Sequence, residues 1–118
     1  MTYTIRKRFT FSASHQLTGL PAGHQCARLH GHNYVVVLEL SSHTLDATGF
    51  VRDFGELEPF KRFLADTLDH RHLNDVLEVQ PTAENLARYL YDIAATWWDN
   101  VTAVSVAETD TTIAEYTP

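Results

Sequence analysis

From residue 3 to residue 15 apolar and polar positions alternate. Tyr3, Ile5, Phe9, Phe11, Ala13 and His15 fall in one phase, and Thr4, Arg6, Arg8 and Thr10 in the other. Only Lys7 breaks the odd phase, so the period of two predicts a strand with one apolar face. Gly19, Pro21 and Gly23 mark residues 16–29 as a loop. Alternation resumes over residues 30–41, where His30, His32, Tyr34, Val36, Leu38 and Leu40 share a phase and predict a second strand. A turn is expected around Asp46-Ala47-Thr48-Gly49.

The period then lengthens. Phe54, Leu57, Phe60, Phe63, Leu64, Thr67 and Leu68 recur at helical spacing, and Asp53 with Glu56 has the form of a capping box. Pro59 predicts that this helix starts a few residues later or is irregular in its first turn. Thr82 is a suitable N-cap for a second helix with the stripe Leu86, Tyr89, Leu90, Ile93 and Trp97. Residues 101–108 alternate again, and a Thr109-Asp110 turn leads to a last short strand through Ile113 and Tyr116. The order ββααββ predicts an α+β fold, an antiparallel sheet with both helices on one face.

Composition narrows the class. With 118 residues the chain is expected to be a single domain over 1–118, because a separate core takes roughly 100 residues or more. It is 44% apolar and 20% charged, a globular composition, and no apolar run approaches the roughly 20 residues a bilayer requires. The N-terminal Met1-Thr2-Tyr3-Thr4-Ile5-Arg6-Lys7-Arg8 has no apolar signal core, so a cytoplasmic protein is expected. Nine Lys and Arg against 15 Asp and Glu give a net charge of −6, which argues against binding a nucleic-acid backbone. Seven histidines and one cysteine point to metal or acid–base chemistry, and one cysteine forms no internal disulfide.

Strand parity gives that chemistry a place. His30 and His32 are two residues apart, so on a strand both imidazoles project from one face. His15 shares the apolar phase of the first strand and supplies a third nitrogen if the two strands pair. Three imidazoles with an open fourth position form the pattern of catalytic zinc, while the plainer reading of His-x-His is two polar residues on a strand. Cys26, four residues before His30, reads as a fourth ligand, as a small buried thiol, or as a thiol beside the metal acting as a base. Asp69-His70 is either a solvated helix end or a carboxylate that fixes the tautomer of an imidazole and raises its basicity. Glu108 ends a Val-rich strand. Facing a pocket, it would accept two parallel hydrogen bonds from the amidine-like edge of a pterin or guanine-type ring.

The residues also fall into ordered blocks. These are Phe11-Ser12-Ala13-Ser14-His15, then Gly23-His24-Gln25-Cys26 leading to His30-Gly31-His32, then Val51-Arg52-Asp53-Phe54. Leu68-Asp69-His70-Arg71-His72-Leu73-Asn74, Pro81-Thr82-Ala83-Glu84-Asn85 and Glu108-Thr109 follow. The set resembles the 6-pyruvoyltetrahydropterin synthase and 6-carboxytetrahydropterin synthase family over nearly the whole chain.

That resemblance implies Zn2+ on His15, His30 and His32, and Cys26 as the proton-abstracting thiol. It implies Asp69 and His70 as relay partners contributed by a neighbouring subunit, Glu108 as the pterin anchor and Thr82 near the pterin. The implied fold is the tunnelling fold (T-fold), in which ββααββ units close into a barrel by oligomerisation, as a homohexamer of two trimers. Three residues separate Cys26 from His30, a spacing similar to the bacterial 6-carboxytetrahydropterin synthases of the 7-deazapurine (queuosine) pathway. His30-Gly31-His32-Asn33-Tyr34 is instead similar to the pyruvoyl-forming branch. The implied substrate of either branch is 7,8-dihydroneopterin triphosphate, for whose phosphates Lys7, Arg8 and Arg28 are candidate cations. A non-catalytic zinc-binding protein would use the three histidines but has no need of Cys26, Asp69-His70 and Glu108 together.

Overall fold

A computed structural model describes residues 1–118. The alternating segments pair as one antiparallel sheet of β1 (Tyr3–His15), β2 (His30–Ser42), β3 (Val101–Thr109) and β4 (Thr112–Tyr116), in the order β1-β2-β3-β4. The β1–β2 register runs without interruption from Tyr3 opposite Ser42 to His15 opposite His30. The apolar phases therefore meet on one face, with Phe9 opposite Val36 and Phe11 opposite Tyr34, the last two rings stacked at 4.9 Å. A bulge beside Glu39 and Leu40 skips Thr102, so that Val101 and Val104 both reach the core face. The turn between β3 and β4 falls at Asp110-Thr111, one residue beyond the expected position.

Both helical segments lie between β2 and β3 and cover the apolar face. The first is irregular, as Pro59 predicts. A 3-10 turn (Phe54–Leu57) leads into α1 (Glu58–Phe63), and a π turn (Leu64–Leu68) closes the segment. Pro59 sits in the first turn of α1, where its missing N–H costs nothing. The capping box forms only by half. Asp53 accepts from the Gly55 N–H at 2.9 Å, whereas Glu56 turns away to Arg52 at 3.1 Å. Phe54, expected in the buried stripe, is exposed, while Leu57, Phe60, Leu64 and Leu68 are buried.

The second helix, α2 (Ala83–Trp97), begins as expected, with Thr82 Oγ1 accepting from the Asn85 N–H at 3.1 Å. Its buried line is Leu86, Ala87, Leu90 and Ala94, with Trp98 just beyond the end. Trp97 is 42% exposed, so the stripe is rotated from the expected one. The small Ala87 and Ala94 account for the rotation, because they let the helix backbone approach β3 and β4. Burying a Leu or Phe contributes about 1.5–3 kcal/mol each, so this layer of Leu38, Leu40, Leu86, Leu90 and their neighbours holds the sheet and helices together.

The opposite sheet face is polar along β1, with Arg6 Nε donating to Glu39 Oε2 at 2.8 Å and Ser12 Oγ donating to Asn33 Oδ1 at 2.6 Å, and carries Val35 and Val37 on β2. β1 and β4 are the two edges of the sheet. No helix is long and apolar enough to cross a membrane.

Candidate metal centre and active site

The core face of the sheet does not end in solvent. Beyond Tyr34 it continues into His15, His30 and His32, whose ring centroids lie 4.5, 5.0 and 4.8 Å apart pairwise. This follows from parity. His15 opposes His30 in the β1–β2 register, and His32 lies one pleat further along β2. One ligand atom from each ring falls within 4.8 Å of the others. His15 is 1% exposed, which leaves its ring no freedom to turn away.

Two of the rings are oriented by main-chain carbonyls. His15 Nδ1 lies 2.7 Å from Pro81 O, and His30 Nδ1 lies 2.6 Å from Arg28 O. A carbonyl only accepts, so each Nδ1 carries the proton and each Nε2 presents a lone pair. Those two Nε2 atoms face each other at 2.9 Å. Two lone pairs so placed repel unless a cation lies between them. His32 Nε2 is buried without a hydrogen-bond partner, and Glu108 Oε2 stands 3.7 Å from it. Burial holds the His32 pKa below its ordinary value of 6.5, and the neighbouring His15 and His30 lower it further, against an opposing pull from Glu108. The ring is thus kept neutral, the form that ligates. The three histidines are positioned to hold a metal ion, and a set of imidazoles with an adjacent carboxylate suits zinc and its divalent neighbours.

Glu108 shares the parity of Val104 and Val106 on β3, which brings it to the same end of the core face. It lines an open cleft of about 590 Å³ together with Thr82, Leu17 and Ile113. Tyr34, buried against the imidazoles, has its pKa raised by burial and by Glu108, so its hydroxyl stays protonated.

Cys26 lies on a 3-10 turn (Gln25–Ala27), half-buried and outside the group of three ligand atoms. His24 caps that turn, its Nδ1 accepting from the Cys26 N–H at 3.1 Å. Asp69 and His70 lie elsewhere in the chain, against the outer edge of β1. The π turn ends with the Asp69 N–H bonded to Leu64 O at 2.9 Å, and this delivers the carboxylate to the Ser12 N–H, also at 2.9 Å. Asp69 Oδ2 meets His70 Nδ1 at 2.9 Å. The Ser12 N–H, followed by the contact with His70, holds the Asp69 carboxyl below the usual carboxylate range. His70 adopts a left-handed φ of 59°, uncommon for a side chain with a Cβ, and its side chain is 83% exposed. The chain therefore gathers His15, His30, His32, Glu108 and Thr82 at one end of the sheet, and presents the Asp69-His70 pair outward.

These blocks and this geometry have counterparts. The family profile described as 6-pyruvoyl tetrahydropterin synthase matches residues 4–118. The chain belongs to that family. It is 34% identical over 106 residues to a putative 6-carboxy-5,6,7,8-tetrahydropterin synthase of Archaeoglobus fulgidus, covering 90% of this chain and 88% of that one. It is 30% identical over 130 residues to the 6-carboxy-5,6,7,8-tetrahydropterin synthase of Bacillus subtilis, with 99% and 86% covered. The 6-pyruvoyl tetrahydrobiopterin synthase of Homo sapiens is 32% identical over 136 residues, with 95% and 89% covered. The solved 6-pyruvoyl tetrahydropterin synthase of Caenorhabditis elegans superposes with a TM-score of 0.87 at 27% identity, over 100% of this chain and 96% of that one. The four-stranded sheet with two helices is accordingly the tunnelling-fold unit of the family.

Three groups around this site have tasks that residue type and spacing do not reveal. Pro81 acts through its carbonyl, which any residue would offer. Ser14 Oγ and His72 Nδ1 lie 2.9 Å apart across the edge of β1, in a cavity of about 460 Å³ that also contains His70. Asn74 and Gln80 read as ordinary surface amides until the chain closes on them.

Proposed function

We propose that this chain is a zinc-dependent 6-carboxytetrahydropterin synthase. It would convert 7,8-dihydroneopterin triphosphate and one water to 6-carboxy-5,6,7,8-tetrahydropterin, acetaldehyde and triphosphate in 7-deazapurine (queuosine) biosynthesis, as a cytoplasmic single-domain protein over 1–118. The observation that carries the reading is the convergence of His15, His30 and His32 beside the cleft of Glu108, with Cys26 outside the ligand set. The short Cys26-to-His30 spacing and the two 6-carboxy relatives support this branch.

Zinc on His15, His30 and His32 would act as a Lewis acid toward the two side-chain hydroxyls and make the adjacent C–H more acidic. Cys26 would take that proton as a thiolate. Asp69, held ionised by Ser12, would orient and charge-stabilise His70, which would carry the second proton transfer. Glu108 would accept two parallel hydrogen bonds from the pterin edge, and Thr82 would line the same cleft. The ring is reduced by its own side chain, so no nicotinamide is required. Asp69 and His70 would serve the metal centre of a neighbouring copy, within a homohexamer of two trimers whose sheets close into a barrel. The outward His70 ring, the edge of β4 and the edge of β1 before Ser12 support that arrangement.

The test is mass spectrometry of the product formed by the zinc-loaded protein from dihydroneopterin triphosphate. A carboxy-substituted tetrahydropterin with acetaldehyde is expected. A pyruvoyl product would replace this reading by the 6-pyruvoyltetrahydropterin synthase one, which Asn33-Tyr34 and the human relative favour. Absence of triphosphate release would leave a non-catalytic zinc-binding protein.

A further inference from the structure

From Ser12 to Thr18, across the end of β1 at His15, the outer edge of this segment is paired at alternate positions with the segment 69–80, and much of that pairing is made by side chains. At Ser12 the N–H donates to Asp69 Oδ1, and the His70 N–H donates to the Ser12 carbonyl. At Ser14 the N–H donates to Arg71 O at 3.0 Å. Gln16 lies beyond the β1–β2 ladder, and there Asn74 takes over. Its Oδ1 accepts from the Gln16 N–H at 2.9 Å and its Nδ2 donates to Gln16 O at 2.7 Å. At Thr18 the pattern repeats with Gln80. Oε1 accepts from the Thr18 N–H and hydroxyl at 2.7 and 2.9 Å, and Nε2 donates to Thr18 O at 2.8 Å. A carboxamide presents one acceptor and one donor side by side, as a strand residue does, so two side chains stand where another strand would be.

The inward side of this extension carries the Cys26 turn. The Leu17 N–H donates to Cys26 O at 3.1 Å, and Gln16 Nε2 donates to Ala27 O at 2.9 Å. The turn thus hangs from residues 16 and 17, and those hang from the two amides. Gln80 is itself fixed, since Asn85 Nδ2 donates to its carbonyl at 2.9 Å. The next residue, Pro81, orients His15, and the one after caps α2. Both amides are held at two points, through their oxygen and their nitrogen, which fixes their rotamers against the freedom a surface amide otherwise keeps.

We propose that Asn74 and Gln80 are positioning residues for the Cys26 thiol. Their carboxamides extend β1 past His15 and keep the Cys26 turn in register with the three imidazoles. The inference rests on the reading of Cys26 as the proton-accepting group. Displacing a reacting group by about 1 Å lowers turnover on the order of a hundredfold, so the placement of this turn bears directly on rate.

The experiment uses the zinc-loaded protein with Gln80→Met and Asn74→Leu, which keep bulk and remove the hydrogen bonds. Amide exchange at Leu17, Thr18 and Ala27 is expected to quicken by about tenfold or more. We expect kcat to fall roughly 10–100-fold with KM changed less than about threefold, and zinc content and assembly size unchanged. Unchanged exchange would overturn the clamp, and quickened exchange with unchanged kcat would overturn its role in placing the thiol. If Gln80→Met does not fold, Gln80→Glu and Asn74→Asp, which each lose only the donating half, are read by the same criteria. Failure of the Cys26 reading is separately visible. In that case Cys26→Ala retains turnover, whereas failure of the clamp leaves Cys26→Ala inactive and Gln80→Met active.

Discussion

A Cβ on Gly31 would lie 3.3 Å from the carbonyl oxygen of Ala13, closer than that backbone tolerates without shifting. Gly31 stands between two of the three clustered histidines, and Ala13 is on the strand that carries the third. Widening the β1–β2 gap at this point therefore separates His15 from His30 and His32. Gly31→Ala is expected to cost about 1–3 kcal/mol of stability. It should also weaken zinc binding by roughly tenfold or more, as loss of ligand orientation does. A competition titration with a chromogenic chelator measures the second effect, and an unchanged zinc affinity would remove the steric argument.

The roles proposed for Cys26 and His32 separate cleanly by metal content. Cys26→Ala should retain zinc and lose turnover by about 10²–10⁴-fold, the usual contribution of a general base. His32→Ala should lose both. Elemental analysis beside a triphosphate-release assay reads the pair, and a Cys26→Ala protein stripped of metal would make the thiol a ligand instead.

Acid should destabilise the metal-free protein in a defined window. The folded state lowers the His32 pKa below 6.5, so below that pH the unfolded chain binds the proton more readily than the folded one. The stability that neutral His32 contributes is complete above pH 6.5 and falls as pH drops through that value toward the folded pKa. Zinc should steepen the fall, because three imidazoles must then remain deprotonated together. Urea midpoints at pH 7.5 and 5.5, with and without zinc, are the measurement. A metal-free midpoint that rises on acidification would contradict the sign.

Thr82 has a structural task independent of any ligand. Loss of its cap on α2 in Thr82→Ala should cost about 0.5–2 kcal/mol, and Thr82→Ser should restore it. Thermal unfolding of the two variants gives the structural share, and KM for the pterin, measured on the stable Thr82→Ser protein, isolates any contact made by the methyl group.

Period-two patterning exposed the sheet and most of the metal centre, because parity alone places His15, His30 and His32 on one face and Glu108 on the corresponding face of β3. The β1–β2 register runs without interruption, so the inference for the three histidines survives folding unchanged, whereas β3 is bulged beside Thr102 and at Glu108. The first helical segment was less readable. Pro59 signals irregularity, but a 3-10 start and a π end arise from how Leu57, Leu64 and Leu68 must each reach the core. The rotated stripe on α2 was hidden because alanine marks close packing without standing out as apolar. The Asn74 and Gln80 contacts were invisible because they join residues 58 and 62 positions apart, and a surface carboxamide looks the same whether or not a strand edge arrives beside it.

The occupied stretch of β1 also acts as a stop. Even-numbered residues of β1 turn their backbone groups outward, and those from Ser12 onward are already bonded to the segment after the π turn. Thr4, Arg6, Arg8 and Thr10 remain available along the same edge. Any strand that docks there must end where Asp69 begins. Its length and register are thus limited by a blunt obstruction within the chain itself, and correct alignment needs no side-chain recognition along the way.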